Sequence, residues 1–293
     1  FYEEVKLDDV MRVAVVSFPI GISKPYVVRH SGKEEIYIRV GTTSRLATRE
    51  QQMRLFEIGG MLHTEVMPVP RTDMSCLDDA RLVNYLKDIL QDPDVPASPE
   101  AWQARLLGLG FLTEAADTIC CTIAGLVLFG KSPRRYLKQA GLRVMAFNGE
   151  DKAYQAALDD IIDGPMVGRW DTDNGEKRLV DGGIIERFMD AMEPFISKEA
   201  SQIDEHLRRD TQWFYPLEAI REVLINALAH RDWTRFVEIE VGSYSNRFEV
   251  ISPGALPNSM SIEKMKAGQR SPRNTIVMEV LRDYGYVDYR GMG

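Results

Sequence analysis

The sequence predicts an α+β protein built from more than one domain, and three observations carry that expectation. Its 293 residues suit one large or two to three small domains. Strand-like and helix-like periodicities both occur along the chain. A linker with two prolines, "MPVPRT" at 67–72, interrupts any regular element between the first strands and the later helices.

Taken in order, residues 11–18 and 34–40 ("EEIYIRV") alternate or run apolar as strands do, with Ser31–Gly32 as the turn between them. Helix is expected from about Thr48, whose hydroxyl suits an N-cap. Beyond the linker, "SCLDDARLVNYLKDIL" has amphipathic helical spacing and "DPDVPAS" is a loop. Helix resumes with Ser98 as N-cap and Pro99 at the first helical position. "LRVMAF" reads as a strand, and "VDGGIIERFMDAMEPFI" and "YPLEAIREVLINALAHRDW" as helices. The strands "VEIEVGSY" and "RFEVIS" follow, turning at Ser245–Asn246, and two helices are expected near Ser261–Ala267 and Arg273–Tyr284.

Charge and composition narrow the partners. A net charge of −8 argues against indiscriminate nucleic-acid binding while leaving room for basic patches. Lys131, Arg134, Arg135, Lys138 and Arg143 form one basic run. Arg29, Lys33, Arg39, Arg45, Arg49 and Arg54 form another, diluted by Glu34, Glu35 and Glu50. On charge alone both read as solvated faces. Cys76, Cys120 and Cys121 make neither a metal cage nor a disulfide framework, which suits a reducing cytoplasm. No apolar run approaches the ~18 residues of a membrane span, and nothing near Phe1 resembles a signal peptide. Beginning at Phe1 and stopping at "YRGMG", the sequence reads as a piece of a longer protein.

The stretch "GLVLFGKS", Gly125 to Ser132, has the spacing of a phosphate-binding P-loop. A working P-loop wraps phosphate with small or turn-forming residues and opens a helix at its Lys-Ser. Here the wrapping residues are Leu126, Val127, Leu128 and Phe129, which favour burial. Thr122 suits the cap of a short buried helix, Gly130 its end, and Pro133 falls where it prevents continuation. The lysine therefore follows a helix end where a P-loop needs a helix start.

Glu218, Glu222, Asn226 and His230 are spaced four apart and line one stripe of a helix, with Ile220, Val223, Leu224, Ala227 and Leu228 free to face a core. A carboxylate and a carboxamide one turn apart suit a metal–nucleotide site: the carboxylate can orient or deprotonate water, and the amide oxygen can ligate magnesium. By spacing alone a solvated polar stripe explains the same pattern.

"EVLINALAHRDW", the two strands after it, "ISPGALP", "SPRN" and "VLRDYGYVDYRGMG" resemble the C-terminal domain of transcriptional regulators often labelled RecG-related. That domain is a divergent member of the ATPase superfamily of gyrase B, MutL and the histidine kinases. "SKPYVVRHSGKEEIYIRVGTTSRLATREQ" resembles the second half of the Schlafen-type AlbA domain, also called the divergent AAA domain, and "TIAGLVLFGKSP" the connecting segment. The resemblance implies half of an AlbA-type α/β DNA-binding domain over 1–66, a helical connector over 67–140, and a two-layer α/β sandwich of the gyrase B/histidine-kinase type over 141–293, truncated at its end.

Residue by residue, the resemblance makes Glu222 the general base and Asn226 the magnesium ligand, with His230, Arg231 and Asp232 as the "HRD" of this branch. Ser252 stands where the superfamily has an adenine-reading aspartate, with Gly254 the glycine nearby. A neutral serine reads adenine more weakly and less selectively. "GQRSPRN" is implied as a lid, and Gly291 and Gly293 in "RGMG" as the start of a second glycine-rich phosphate box.

In "YIRVGTTSRLA", Arg39 and Arg45 flank a turn through Gly41 with Thr42, Thr43 and Ser44, followed by Arg49. Such groups suit phosphate contacts, and an ordinary strand–turn–helix corner explains them equally. The AlbA-type resemblance implies DNA as the ligand. His30, His63 and His206 have no second ligand at metal spacing. Trp213, Phe214 and Tyr215 read as a hydrophobic anchor for the helix after Pro216.

The functional expectation is a cytoplasmic, dimeric, DNA-associated transcriptional regulator whose domain binds ATP and magnesium as a conformational input. At most a slow magnesium-dependent ATPase is expected, and no helicase. The rival is an interaction or dimerisation module that has lost its nucleotide, supported by Ser252. A third reading, a nucleic-acid-processing ATPase, requires a motor or nuclease site that the sequence does not display.

Overall fold

Alternation in "LRVMA" and "IEVGS" puts Leu142, Val144, Ile239 and Val241 on one side of a sheet and Arg143, Met145 and Glu240 on the other. The computed structural model describes residues 2–6, 11–17, 25–173, 176–203, 209–256, 260–269 and 271–287. Down the chain run β1 (Tyr2–Lys6), β2 (Arg12–Val16), β3 (Val27–His30), β4 (Lys33–Val40), β5 (Thr43–Leu46), α1 (Arg49–Ile58) and α2 (Asp79–Asn84), which widens into a π-helical turn at Tyr85–Ile89. Next come α3 (Pro99–Gly108), β6 (Leu112–Ala115), β7 (Thr118–Cys121), α4 (Ile123–Phe129), α5 (Pro133–Tyr136), β8 (Leu142–Ala146), β9 (Leu158–Ile162), β10 (Arg169–Asp173) and β11 (Glu176–Asp181). The order closes with α6 (Ile184–Ile196), β12 (Ser197–Ile203), β13 (Arg209–Trp213), α7 (Leu217–His230), β14 (Ile239–Ser243), β15 (Phe248–Ile251), α8 (Ile262–Lys266) and α9 (Thr275–Asp283). Among the described residues, no helix is long and apolar enough to cross a membrane.

The arrangement is mixed α+β with several small sheets. The largest has the order β15-β14-β8-β9, in which β14 and β8 are parallel and the other pairs antiparallel. Register places Leu142 beside Ile239 and Val144 beside Val241. These four join a buried core with Ile184, Phe188, Met192 and Ile196, the one-turn stripe of α6, and with Ile220, Leu224 and Leu228 of α7. The opposite face is polar at its edges. Arg143 grips Asp159 with two bonds of 3.0 Å, Lys152 donates to Glu240, and Phe147 stacks on Tyr244. One face covered by helices and one left polar is how an antiparallel or mixed sheet satisfies both environments.

Helix α4 is buried at every position. The Thr122 hydroxyl accepts the Gly125 N–H at 3.0 Å and donates to Gly110 O at 2.7 Å, and Gly130 ends the helix. Gly125 is required by close approach: a Cβ there would lie 2.2 Å from Phe111 O. Lys131 points away from the helix and donates to Ser75 O at 2.9 Å. The P-loop-spaced segment is thus an apolar helix with a lysine beyond its end.

The structure corrects several expected elements. The Ser31–Gly32 turn joins β3 to β4, whereas β2 pairs with β1. Phe18, expected at the end of the second strand, lies outside the described residues. The helix expected from Ser75 begins at Asp79, because the Asp78 carboxylate caps it and Asp73 caps a separate turn at Met74–Cys76. The hairpins β10–β11 and β12–β13 have no apolar alternation to mark them, since their strands are largely polar, and the four-residue strands of β6–β7 are too short to show a period. Thr43 and Ser44 lie in β5 and only Gly41 and Thr42 make the turn.

Candidate functional site

Helix α7 starts after Pro216 and turns Ile220, Leu224, Ala227 and Leu228 into the core. That orientation leaves Glu222 and Asn226 exposed on the other side, one turn apart. The Asn226 side-chain amide donates to Glu222 Oε1 at 2.9 Å, so its carbonyl oxygen is the end of the side chain not used in that bond. Val223, expected to face the core, is exposed beside them.

Both residues line a cleft of about 560 Å³. Other walls include Ser252 and Gly254 just after β15, Met260 and Met265, the residues Gly268, Gln269, Ser271, Pro272 and Arg273, and Met278 and Arg282 of α9. Glu222, Asn226, Ser252 and Gly254 are therefore brought together, along with the Gln269, Ser271 and Arg273 of the expected lid. Position 270 and the glycine pair Gly291 and Gly293 lie outside the described residues.

The Ser252 hydroxyl donates to Ala227 O on α7 at 2.9 Å, which uses its one hydrogen and leaves it only an acceptor role toward the cleft. Gly254 has φ +134°, and a Cβ there would lie 2.4 Å from Nη1 of Arg273 and 3.0 Å from Cβ of Asp232. Its backbone is pressed onto the two side chains below.

The "HRD" residues divide. Half-buried His230 lines the cleft. Arg231 turns inward, donating to Gln139 O at 2.7 Å, Val237 O at 2.8 Å and Arg235 O at 3.2 Å while lying 4.2 Å over the Trp233 ring. Burial pushes its guanidinium down to about 10. Asp232 is buried too, and its Oδ1 accepts the Thr234 N–H and hydroxyl at 2.9 and 2.5 Å. Burial raises the Asp232 carboxyl, but those bonds, with Glu57 and Arg273 nearby, hold it below the usual carboxylate range.

Beneath the cleft lie charged groups that no spacing in the sequence brings together. Glu57 of α1 is buried 3.3 Å from Nε of Arg273, and Arg273 Nη1 lies 3.8 Å from Asp232. Burial pushes the Glu57 carboxyl up to about 7, with Arg273 pulling it down and Asp232 adding to the rise. Asn274 donates to Ala229 O and Arg231 O, tying this segment to the end of α7. An acid inside "MRLFEIGG" is a faint signal in sequence, because amphipathic helices often carry one at their edge.

The residues expected to meet nucleic acid lie on β4, β5, the turn between them and α1, and are all exposed. Arg39 stands opposite Ser44, to which it donates at 3.3 Å, and Arg45 stands opposite Ile38. Neighbouring positions on a strand face opposite ways, so Arg39 and Arg45 lie on opposite faces of the hairpin. Arg49 begins α1. In the two basic runs, Arg29, Arg54, Arg134 and Arg143 are ion-paired with Glu34, Glu50, Glu238 and Asp159. His30 and His63 are exposed, and His206 lies outside the described residues. Trp213 and Tyr215 pack against the core while Phe214 is exposed.

Residues 237–293 match the model of the family described as "Putative ATP-dependent DNA helicase recG C-terminal". The match supports a RecG-related, ATPase-like domain and takes in β14, β15, α8, α9 and most of the cleft wall, but it begins after α7. Glu222 and Asn226 lie outside it. No curated protein matches the chain. Among solved structures, the chain is similar to the DIP2311 protein from Corynebacterium diphtheriae, at 20% identity and a TM-score of 0.48, over 88% of this chain and 46% of that one. The chain thus spans less than half the length of that protein.

Proposed function

We propose that the cleft beside α7 binds an adenine nucleotide with magnesium, and that this binding is a conformational input to a DNA-associated transcriptional regulator. The observation that carries the reading is the Glu222–Asn226 pair, 2.9 Å apart on the open side of α7, facing a cleft of about 560 Å³ whose other walls belong to the ATPase-like match. That volume falls in the usual range for small-ligand sites, roughly 300–1,000 Å³.

In this reading the Asn226 carbonyl oxygen holds the cation and Glu222 orients or deprotonates a water. Bound magnesium would neutralise phosphate charge. Met260, Met265 and Met278 supply adaptable apolar surface for a base. Ser252, its hydrogen committed to Ala227, reads that base weakly. Helices α6 and α7 on one face of the β15-β14-β8-β9 sheet fit a two-layer sandwich of the gyrase B and histidine-kinase type. Residues 1–66 are the proposed DNA-binding part, in a cytoplasmic homodimer. A helicase motor is not proposed, because the P-loop-spaced segment is the buried helix α4.

The second reading is an interaction module that has lost its nucleotide, and the Ser252–Ala227 bond favours it. Calorimetric titration with ATP and magnesium separates the two. Saturable binding, weakened at least tenfold by Asn226→Ala, is expected. No binding by the unaltered protein at millimolar ATP would leave the interaction module. Glu222→Ala should abolish any slow turnover while sparing binding.

A further inference from the structure

Arg273 is held by groups from three parts of the chain. Its Nε faces Glu57 of α1 at 3.3 Å, its Nη2 donates to Ala255 O at 2.5 Å, and its Nη1 lies 3.8 Å from Oδ2 of Asp232. Its side chain is only 6% exposed, yet the residue forms part of the cleft wall. Nη1 is buried under the Gly254 backbone with no hydrogen-bond acceptor. Both carboxylate oxygens of Glu57 also lack a hydrogen-bond donor.

A buried guanidinium nitrogen without an acceptor is destabilising, because it has given up its hydrogen bond to water and received none in exchange. Two acids share this site with Arg273, and Arg235 also reaches Asp232 at 3.4 Å. An anion that enters the cleft and displaces the Gly254 backbone from Nη1 would supply the missing acceptor, and guanidinium is well shaped for phosphoryl oxygens. It would compete for Arg273 with Glu57, whose Oε1 lies 3.3 Å from Nε of Arg273.

We infer that Arg273 is the phosphate reader of the cleft and that a phosphate-bearing ligand takes its guanidinium from Glu57, releasing helix α1 from its ion pair beneath the cleft. Helix α1 begins at Arg49 shortly after the β4–β5 hairpin, so the released element follows directly on the hairpin that carries the exposed Arg39 and Arg45. Glu57 and the ligand bind the same group, and each weakens the hold of the other. The inference rests on the cleft being a ligand site, as proposed above, and requires a phosphoryl group but no particular base.

The test uses the full chain with two probes, ATP with magnesium and inorganic tripolyphosphate, titrated calorimetrically into the unaltered protein and into Arg273→Ala, Arg273→Lys and Glu57→Gln. Hydrogen exchange of residues 49–58 is followed with and without each probe. Both probes should bind at least tenfold more weakly to Arg273→Ala, with Arg273→Lys intermediate. Glu57→Gln should bind several-fold more tightly, and its residues 49–58 should exchange fast whether or not a probe is present. In the unaltered protein the probes should speed exchange there. Equal affinity of Arg273→Ala and the unaltered protein would overturn the inference, as would exchange at 49–58 that no probe changes. If Arg273→Ala fails to fold, the opposite signs expected for Arg273→Lys and Glu57→Gln still decide it. Tripolyphosphate binding without ATP binding would sink the nucleotide reading and support this one. Binding of neither would sink both.

Discussion

Glu65 caps the helix that carries Val277. Its Oε2 accepts the Val277 N–H at 3.1 Å, and its Oε1 accepts the Ile276 N–H at 3.1 Å and the Thr275 hydroxyl at 3.0 Å. The residue at the N-cap position, Asn274, uses its side-chain amide on α7 and its end, so α9 receives its cap from a carboxylate far upstream. Glu65→Gln keeps the shape and removes the charge. It is expected to lower the unfolding free energy by about 1–3 kcal/mol. Urea denaturation reads this, and an unchanged midpoint with unchanged slope would remove the cap from the account.

Arg231 should be a structural residue despite its place beside the cleft. Arg231→Ala strands the carbonyls of Gln139, Arg235 and Val237, the first of them buried, and empties the face of Trp233. A loss of about 3–5 kcal/mol is expected from removing one side of such a buried charged network. Thermal unfolding of the variant checks it, and near-normal stability with lost ligand binding would reverse the assignment.

The pH dependence of stability should carry the sign of Glu57. Its carboxyl is raised in the folded protein from the ordinary 4.5 to about 7, with Arg273, Asp232 and Arg235 as the charged groups around it. Between those values the folded state holds a proton that the unfolded chain has released. The stability contributed by Glu57 is therefore complete below about 4.5 and lost as the pH rises through about 7. Asp232 is held low, so its share has the opposite sense: present above the ordinary 3.8 and lost on acidification below it. Melting temperatures from pH 4 to about 8, for the unaltered protein and for Glu57→Gln, isolate the first effect. A difference between the two that does not vary with pH would contradict it.

Lys131→Ala should leave nucleotide binding unchanged, because Lys131 serves the backbone of Ser75 and not a phosphate. Gly125→Ala should instead destabilise by about 1–3 kcal/mol, since the new methyl must displace Phe111 O. A tenfold loss of ATP affinity in Lys131→Ala, with stability intact, would restore the phosphate role that its spacing suggests.

Local rules carried much of the fold. Thr48, Ser98 and Thr122 cap the helices that follow them, and Pro216 precedes α7. The strands β14 and β15 pair across Ser245–Asn246. The four-residue spacing placed Glu222 and Asn226 on one face, and it is the core packing of Ile220, Leu224 and Leu228 that turns this face to the cleft. The polar hairpins β10–β11 and β12–β13 have no alternation of apolar residues to mark them as strands. For β10–β11, the Asn174–Gly175 dipeptide was a hairpin signal in the sequence itself.

By itself the sequence determined what depends on neighbours within about one helical turn or one hairpin: caps, helix faces, and the mismatch between "GLVLFGKS" and a working P-loop. Only the tertiary structure decided which buried charges meet. Glu65 finds α9 across 212 positions, Arg231 finds Gln139 across 92, and Glu57 and Arg273 meet from opposite ends of the chain. Charge and hydrogen-bonding capacity are written in each residue, but a buried partner is chosen by whichever elements the hydrophobic core presses together, and that pairing has no period along the chain.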